Sequence, residues 1–176
     1  MKSGVSEKIL EAAEELIAER GVYGMSFGEI ARRVGVSKGT LNYYYPSKQA
    51  LVDAAAAKAV KRISDSILAW VDSVKADEDP EAPIGRLCDA MLGPSFRVFI
   101  EANEVVKSDT PLEEILDNAI GEWNVMIDVG AMRMRPDAAR RMKKMSEAVL
   151  PFIAGLAALN ADSEYAKEAF VALILG

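Results

Sequence analysis

The 176-residue sequence contains no histidine and one cysteine, Cys88. Without an imidazole base, the Ser-His-Asp type of triad is excluded, and with it nearly every zinc site. A single cysteine closes no internal disulfide, and on an apolar helical stretch it reads as a small core residue rather than a redox sensor. Neither a metal nor a cofactor is expected. No run approaches the ~20 uninterrupted apolar residues of a membrane span. Glu7, Glu11, Glu14 and Glu15 interrupt what would be the apolar core of a signal peptide, so a cytoplasmic, membrane-free location is the default expectation. A glycine-rich phosphate loop, a nucleophile elbow, a strand pattern, low-complexity tracts and internal repeats are also missing. The acids Asp77, Glu78, Asp79 and Glu81 lack the alternating spacing and turn glycine of a calcium loop, and read as a solvated segment.

What is present is helical. Hydrophobic residues make up 51% of the chain and charged residues 27%, enough for a sizeable core under a polar surface. Ile9, Leu10, Ala13, Leu16 and Ile17 recur at helical spacing before Gly21, a stop signal. Ser26-Phe27-Gly28-Glu29 has capping-box spacing, with Met25 and Ile30 placed as a hydrophobic staple. The short helix that follows ends at Gly35. Ser37 starts a third helix to about Tyr44, and Ser47 starts a long fourth from Lys48 to about Val74. Lys75 to Pro83 is polar loop, and helices resume at Ile84. Gly93-Pro94 marks a break or kink, and further helices open at the second capping box Thr110-Pro111-Leu112-Glu113, at Pro136, and at Asp162 or Ser163. Eight or nine helices and no strands define an all-α chain.

Net charge is −6, which at first opposes a nucleic-acid partner. The distribution says otherwise. Residues 26–48 carry Arg32, Arg33, Lys38 and Lys48 against Glu29 alone, whereas the residues from 49 onward hold 14 basic and 21 acidic side chains. Within the basic segment, Ile30 and Val34 face inward, Ala31 is small where two helices cross, and Gly35 suits a tight interhelical turn. Val36 plugs that turn and Leu41 anchors the next helix. This is the pattern of a helix-turn-helix, whose second helix enters the major groove.

The run Glu29-Ile30-Ala31-Arg32-Arg33-Val34-Gly35-Val36-Ser37-Lys38-Gly39-Thr40-Leu41, followed by Tyr45-Pro46-Ser47-Lys48-Gln49-Ala50-Leu51, resembles the recognition core and the aromatic-Pro-Ser-Lys-x-x-Leu signature of the TetR family. The resemblance covers about residues 6–52. It implies an N-terminal three-helix helix-turn-helix DNA-binding domain (1–48) and a C-terminal helical ligand-binding and dimerisation domain (49–176). It also implies the activity of a transcriptional regulator, a repressor released from operator DNA by a small hydrophobic effector. Asn42 departs from the pattern, standing where the family usually has tyrosine. An asparagine can pair with an adenine edge, so operator sequence rather than DNA binding is affected.

By position, Lys38, Gly39, Thr40, Asn42, Tyr43 and Tyr44 are assigned to the DNA-facing surface, and Tyr45 to the core. Lys48 and Ser26 sit at helix starts that suit a phosphate. An effector pocket is expected near Trp70, Met91, Phe96, Phe99, Asn103, Trp123, Met126 and Ile127, where aromatic core and ligand lining overlap. A homodimer is expected through Met145, Val149, Phe152, Ile153, Leu156, Phe170 and Leu173 of the last two helices; burial of this stripe against the chain's own body is the competing reading. A helical protein-interaction or dimerisation module without DNA binding is the alternative, supported by Asn42 and the acidic balance. Catalysis is the least favoured class, given the missing histidine and nucleophile motifs.

Overall fold

A computed structural model describes residues 2–108, 110–159 and 161–176. Among them the chain forms nine helices: α1 (Lys2–Gly24), α2 (Phe27–Val34), α3 (Lys38–Tyr44), α4 (Lys48–Ser73), α5 (Glu81–Met91), α6 (Pro94–Val105), α7 (Pro111–Met132), α8 (Pro136–Ala158) and α9 (Ser163–Leu175). Hydroxyl caps fix the starts of the N-terminal helices. Ser26, Ser37 and Ser47 each accept a backbone N–H three residues on, from Glu29, Thr40 and Ala50. Thr110 and Asp162 do the same for α7 and α9.

Two boundaries differ from expectation. α5 begins at Glu81 rather than Ile84, because Pro83 falls in its first turn, where the missing N–H has no intrahelical partner to lose. α1 does not stop before Gly21. The helix breaks there, with φ 71° and ψ 170°, and resumes for a further turn to Gly24. That backbone region is almost confined to glycine.

The long helix α4 is the spine, packed against α1, α5, α6 and α7. Its buried residues Ala55, Ala56 and Ala59 leave room for close neighbours, and Ile63, Ile67, Trp70 and Val71 extend the buried face. Each large side chain buried this way contributes on the order of 2 kcal/mol. The Trp70 ring lies over Gly130 of α7 so tightly that any Cβ there would overlap it. Its indole N–H donates to the Pro83 carbonyl at 2.7 Å, and that of Trp123 donates to Ser64 Oγ of α4 at 2.8 Å. Glu14 ties α1 to α4 through Lys58 (3.2 Å) and Arg62 (3.1 Å), while Lys58 also pairs with Glu7. Burial pushes the Glu14 carboxyl above its ordinary range, against the pull of Arg62 and Lys58. α9 packs on α5 and α8, and one contiguous hydrophobic core runs through the fold.

Candidate nucleic-acid interface and body cavity

The helix-turn-helix is built around a left-handed glycine. Gly35 has φ 76° and ψ 34°, and the N–H groups of Gly35 and Val36 both donate to the Ala31 carbonyl at 2.9 Å. This closes α2 and turns the chain into α3 within a few residues. Ile30 and Leu41 are fully buried and Ala31 nearly so, with α2 packed on α1 and α3 packed on α2. With Leu41 inward, α3 turns Lys38, Gly39, Asn42 and Tyr43 to solvent on one face.

The assigned DNA-facing residues divide into four groups. Lys38, Gly39, Asn42 and Tyr43 are exposed, Tyr43 to 69%. Tyr44 is only half exposed: it meets Tyr43 edge-on, with centroids 5.3 Å apart, and also packs on the core, so its ring is shared between surface and interior. Ser26 and Thr40 are engaged locally. Ser26 Oγ caps α2, and the Thr40 hydroxyl lies 2.9 Å from Ser37 Oγ. Lys48 is half-buried, and its Nζ donates to the Tyr23 carbonyl at 3.4 Å. Tyr45 is partly buried as expected, its hydroxyl 3.1 Å from Ser6 Oγ of α1.

Charge in this region is less uniform than a count suggests. Arg33 faces α1, pairing with Glu19 at 2.9 Å and Glu15 at 3.4 Å. Hydrogen bonding to Glu19 holds its guanidinium above its already high ordinary range. Glu29, half of the expected capping box, instead lies among Arg20, Arg32 and Arg33. Arg33 therefore fixes α2 to α1, leaving Arg32 and Lys38 exposed and Lys48 half-buried at the start of α4. Two residues gain interest that were not assigned to the DNA-facing surface: Arg32, 77% exposed at its side chain, and Tyr23, 87% exposed beside Lys48. The helical spacing of Arg32 from Ile30 and Ala31 would have indicated its outward face. Tyr23 had no such signal, because the break at Gly21 reorients it.

In the body, a cavity of about 340 Å³ opens between α6, α7 and α8. Of the expected lining residues, Phe96, Phe99, Asn103 and Trp123 border it. The three rings form its floor, Phe99 edge-on to Trp123 at 4.8 Å and Phe96 stacked on Phe99 at 5.8 Å. Trp70, Met91 and Ile127 are core residues, essentially without exposed surface, and Met126 is partly buried and packed on the core; none of the four borders the cavity. Asn103 is exposed at the mouth rather than buried. The lining also includes Ile100, Glu104, Ile120, Leu150, Pro151 and Ala154. Of these, Pro151 offered a signal, since a proline inside a helix interrupts its hydrogen-bond ladder.

The expected dimer stripe needs correction. Val149, Ile153 and Phe170 have no exposed surface within the single chain and Leu156 has 7%, because α8 and α9 turn them onto α5, α6, α7 and each other. Side chains already enclosed have no surface to offer a copy. Met145, Phe152 and Leu173 remain half exposed. Cys88 is buried, and burial pushes its thiol up to about 11, so it is no reactive thiolate. Among the described residues, no cluster of acids and cysteine is placed to hold a metal, and no helix is long and apolar enough to cross a membrane.

Comparison with known proteins agrees with this architecture. Residues 9–55 match the family model for bacterial regulatory proteins of the tetR family. An uncharacterised HTH-type transcriptional regulator, YvdT of Bacillus subtilis, is 40% identical over 65 residues, 37% of this chain and 34% of that protein. The HTH-type transcriptional regulator RutR of Escherichia coli is 31% identical over 130 residues, 72% of this chain and 58% of that protein. The chain thus spans about a third and somewhat over half of these relatives' lengths. A crystal structure of a transcriptional regulator from Saccharomonospora viridis, in complex with choline, shares the fold with a TM-score of 0.76 at 20% identity, covering 98% of this chain and 96% of that one. The matched segment contains the Gly35 turn and the exposed α3, and the fold shared with the Saccharomonospora viridis regulator continues through α4–α9: residues 9–55 carry the helix-turn-helix of the tetR family of bacterial regulatory proteins, on a body of the same fold.

Proposed function

We propose that this chain works as a homodimeric repressor that inserts α3 into the major groove of operator DNA and leaves it when a small molecule enters the α6–α7–α8 cavity. The observation that carries the DNA reading is the solvent face of α3. Lys38, Asn42 and Tyr43 stand together on a helix whose opposite side is locked by Leu41. Lys38 and Lys48 meet phosphate, Asn42 and Tyr43 meet base edges, and Gly39 allows close backbone approach. The unit 1–48 reads DNA, and 49–176 binds the effector and pairs with its copy.

The effector reading rests on the cavity's apolar walls and aromatic floor, with Asn103 and Glu104 at its edge. Such a lining suits a compact, largely apolar molecule with one polar or cationic end. The Saccharomonospora viridis regulator's choline is a molecule of comparable chemistry and a first compound to titrate. The test is selection of bound duplexes from random DNA, followed by anisotropy titration of the best duplex. A palindromic duplex with half-sites about one DNA turn apart supports the reading. Failure to enrich any sequence refutes it. An inducing ligand must bind more weakly when the duplex is present, by the same factor that it weakens DNA binding.

A further inference from the structure

α6 does more than wall the cavity. At the break in α1, the Val22 N–H turns toward α6 and donates to Glu101 Oε2 at 3.1 Å. Gly21 leaves the space that this carboxylate occupies; a Cβ at that position would lie 2.5 Å from Glu101 Oε2. The Val22 carbonyl accepts the Met25 N–H at 3.4 Å, one residue before the Ser26 cap of α2. The next carbonyl, of Tyr23, accepts from Lys48 Nζ. A side chain of the body thus reaches the α1–α2 turn, and that turn holds the cation at the start of α4. Phe99, Ile100, Asn103 and Glu104, which flank Glu101 on the same helix, border the cavity.

From this geometry we infer that Glu101 is a positioning residue for DNA binding: from α6 it holds the turn that carries Tyr23 and orients Lys48. Through it a displacement of α6 is felt at the DNA surface. The link to a cavity ligand rests on the effector reading above, but the role of Glu101 in DNA binding does not.

Charge makes the test discriminating. Deleting an acid from a DNA-binding protein strengthens binding when the acid acts only through its field. Glu101→Gln and Glu101→Met carry the same net charge and have similar length, but only the glutamine keeps an oxygen acceptor for the Val22 N–H. Both are titrated against a duplex selected by the wild-type protein, over a series of salt concentrations, with thermal unfolding as the control for folding. The expected result is that Glu101→Gln binds at least as tightly as wild type. Glu101→Met should bind about tenfold more weakly, with a salt slope shallower by about one phosphate contact. Equal binding by the two variants, whether tight or weak, overturns the proposal, and so does a Met variant with the wild-type slope. Amide exchange supplies a readout that needs no variant. The Val22 N–H should be protected like the amides inside α6, and exchange at the rate of an open loop would equally overturn the inference.

Discussion

Single side chains in this protein are set to tasks that their type alone does not disclose. Arg33 and Lys48 are both cations of the basic segment, yet Arg33 is spent on Glu15 and Glu19 while Lys48 stands at the start of α4. Lys48→Ala is therefore expected to weaken binding on every DNA sequence and to flatten the salt dependence by about one charge. Asn42→Ala should instead change which duplexes are preferred. Anisotropy titrations over a salt series, on two unrelated duplexes, separate the two effects; an unchanged slope for Lys48→Ala would remove its phosphate role. Cys88 gives a prediction of silence. With its thiol buried and pushed up to about 11, iodoacetamide at pH 8 should leave it unmodified in the native protein and label it only after unfolding. Labelling of the native protein at the rate of a free thiol would contradict its enclosure.

At the scale of the helices, most starts were legible because the residues that begin a helix act locally. Ser26, Ser37, Ser47, Thr110 and Asp162 satisfy backbone groups within three residues of themselves, and proline opens α6, α7 and α8. The α3 face was legible for a related reason: its inward partner Leu41 and its turn glycine lie within a few residues of it. The cavity was not. Its walls come from α6, α7 and α8, and an apolar side chain on a core helix has the same spacing whether it meets another side chain or a void. Phe99 and Ile127 could not be told apart by pattern, though only Phe99 borders the cavity. The Gly21 break was half legible, since the glycine is visible but Glu101 lies 79 residues beyond Val22. Helix crossings are equally specific. Gly130→Ala forces a methyl group into the Trp70 ring and should cost about 1–3 kcal/mol, read as a lower urea midpoint. Wild-type stability in that variant would mean that α4 and α7 are not so closely apposed.

For the whole molecule, the dimer stripe shows why an amphipathic pattern does not name its partner. Val149, Ile153 and Phe170 satisfy the same spacing as an interface, but the protomer keeps them for itself. The apolar residues still outside on α8, its C-cap and α9 include the half-exposed Met145, Phe152 and Leu173 and the strongly exposed Leu159 and Tyr165. Phe152→Glu with Leu173→Glu should convert a dimer into a folded monomer by light scattering and abolish binding to a palindromic duplex. A dimer that survives both charges would place the interface elsewhere. One feature of the fold also gives the molecule a built-in signal. Both of its tryptophans sit in the seam between α4 and α7, Trp70 against Gly130 and Trp123 bonded to Ser64. No other indole contributes background, so emission excited to the red of the tyrosine absorption comes from that seam. Trp123 also floors the cavity. A shift in emission wavelength and intensity on adding a compound, or on adding DNA, then reports the entry of a ligand and the movement of the spine without any attached dye.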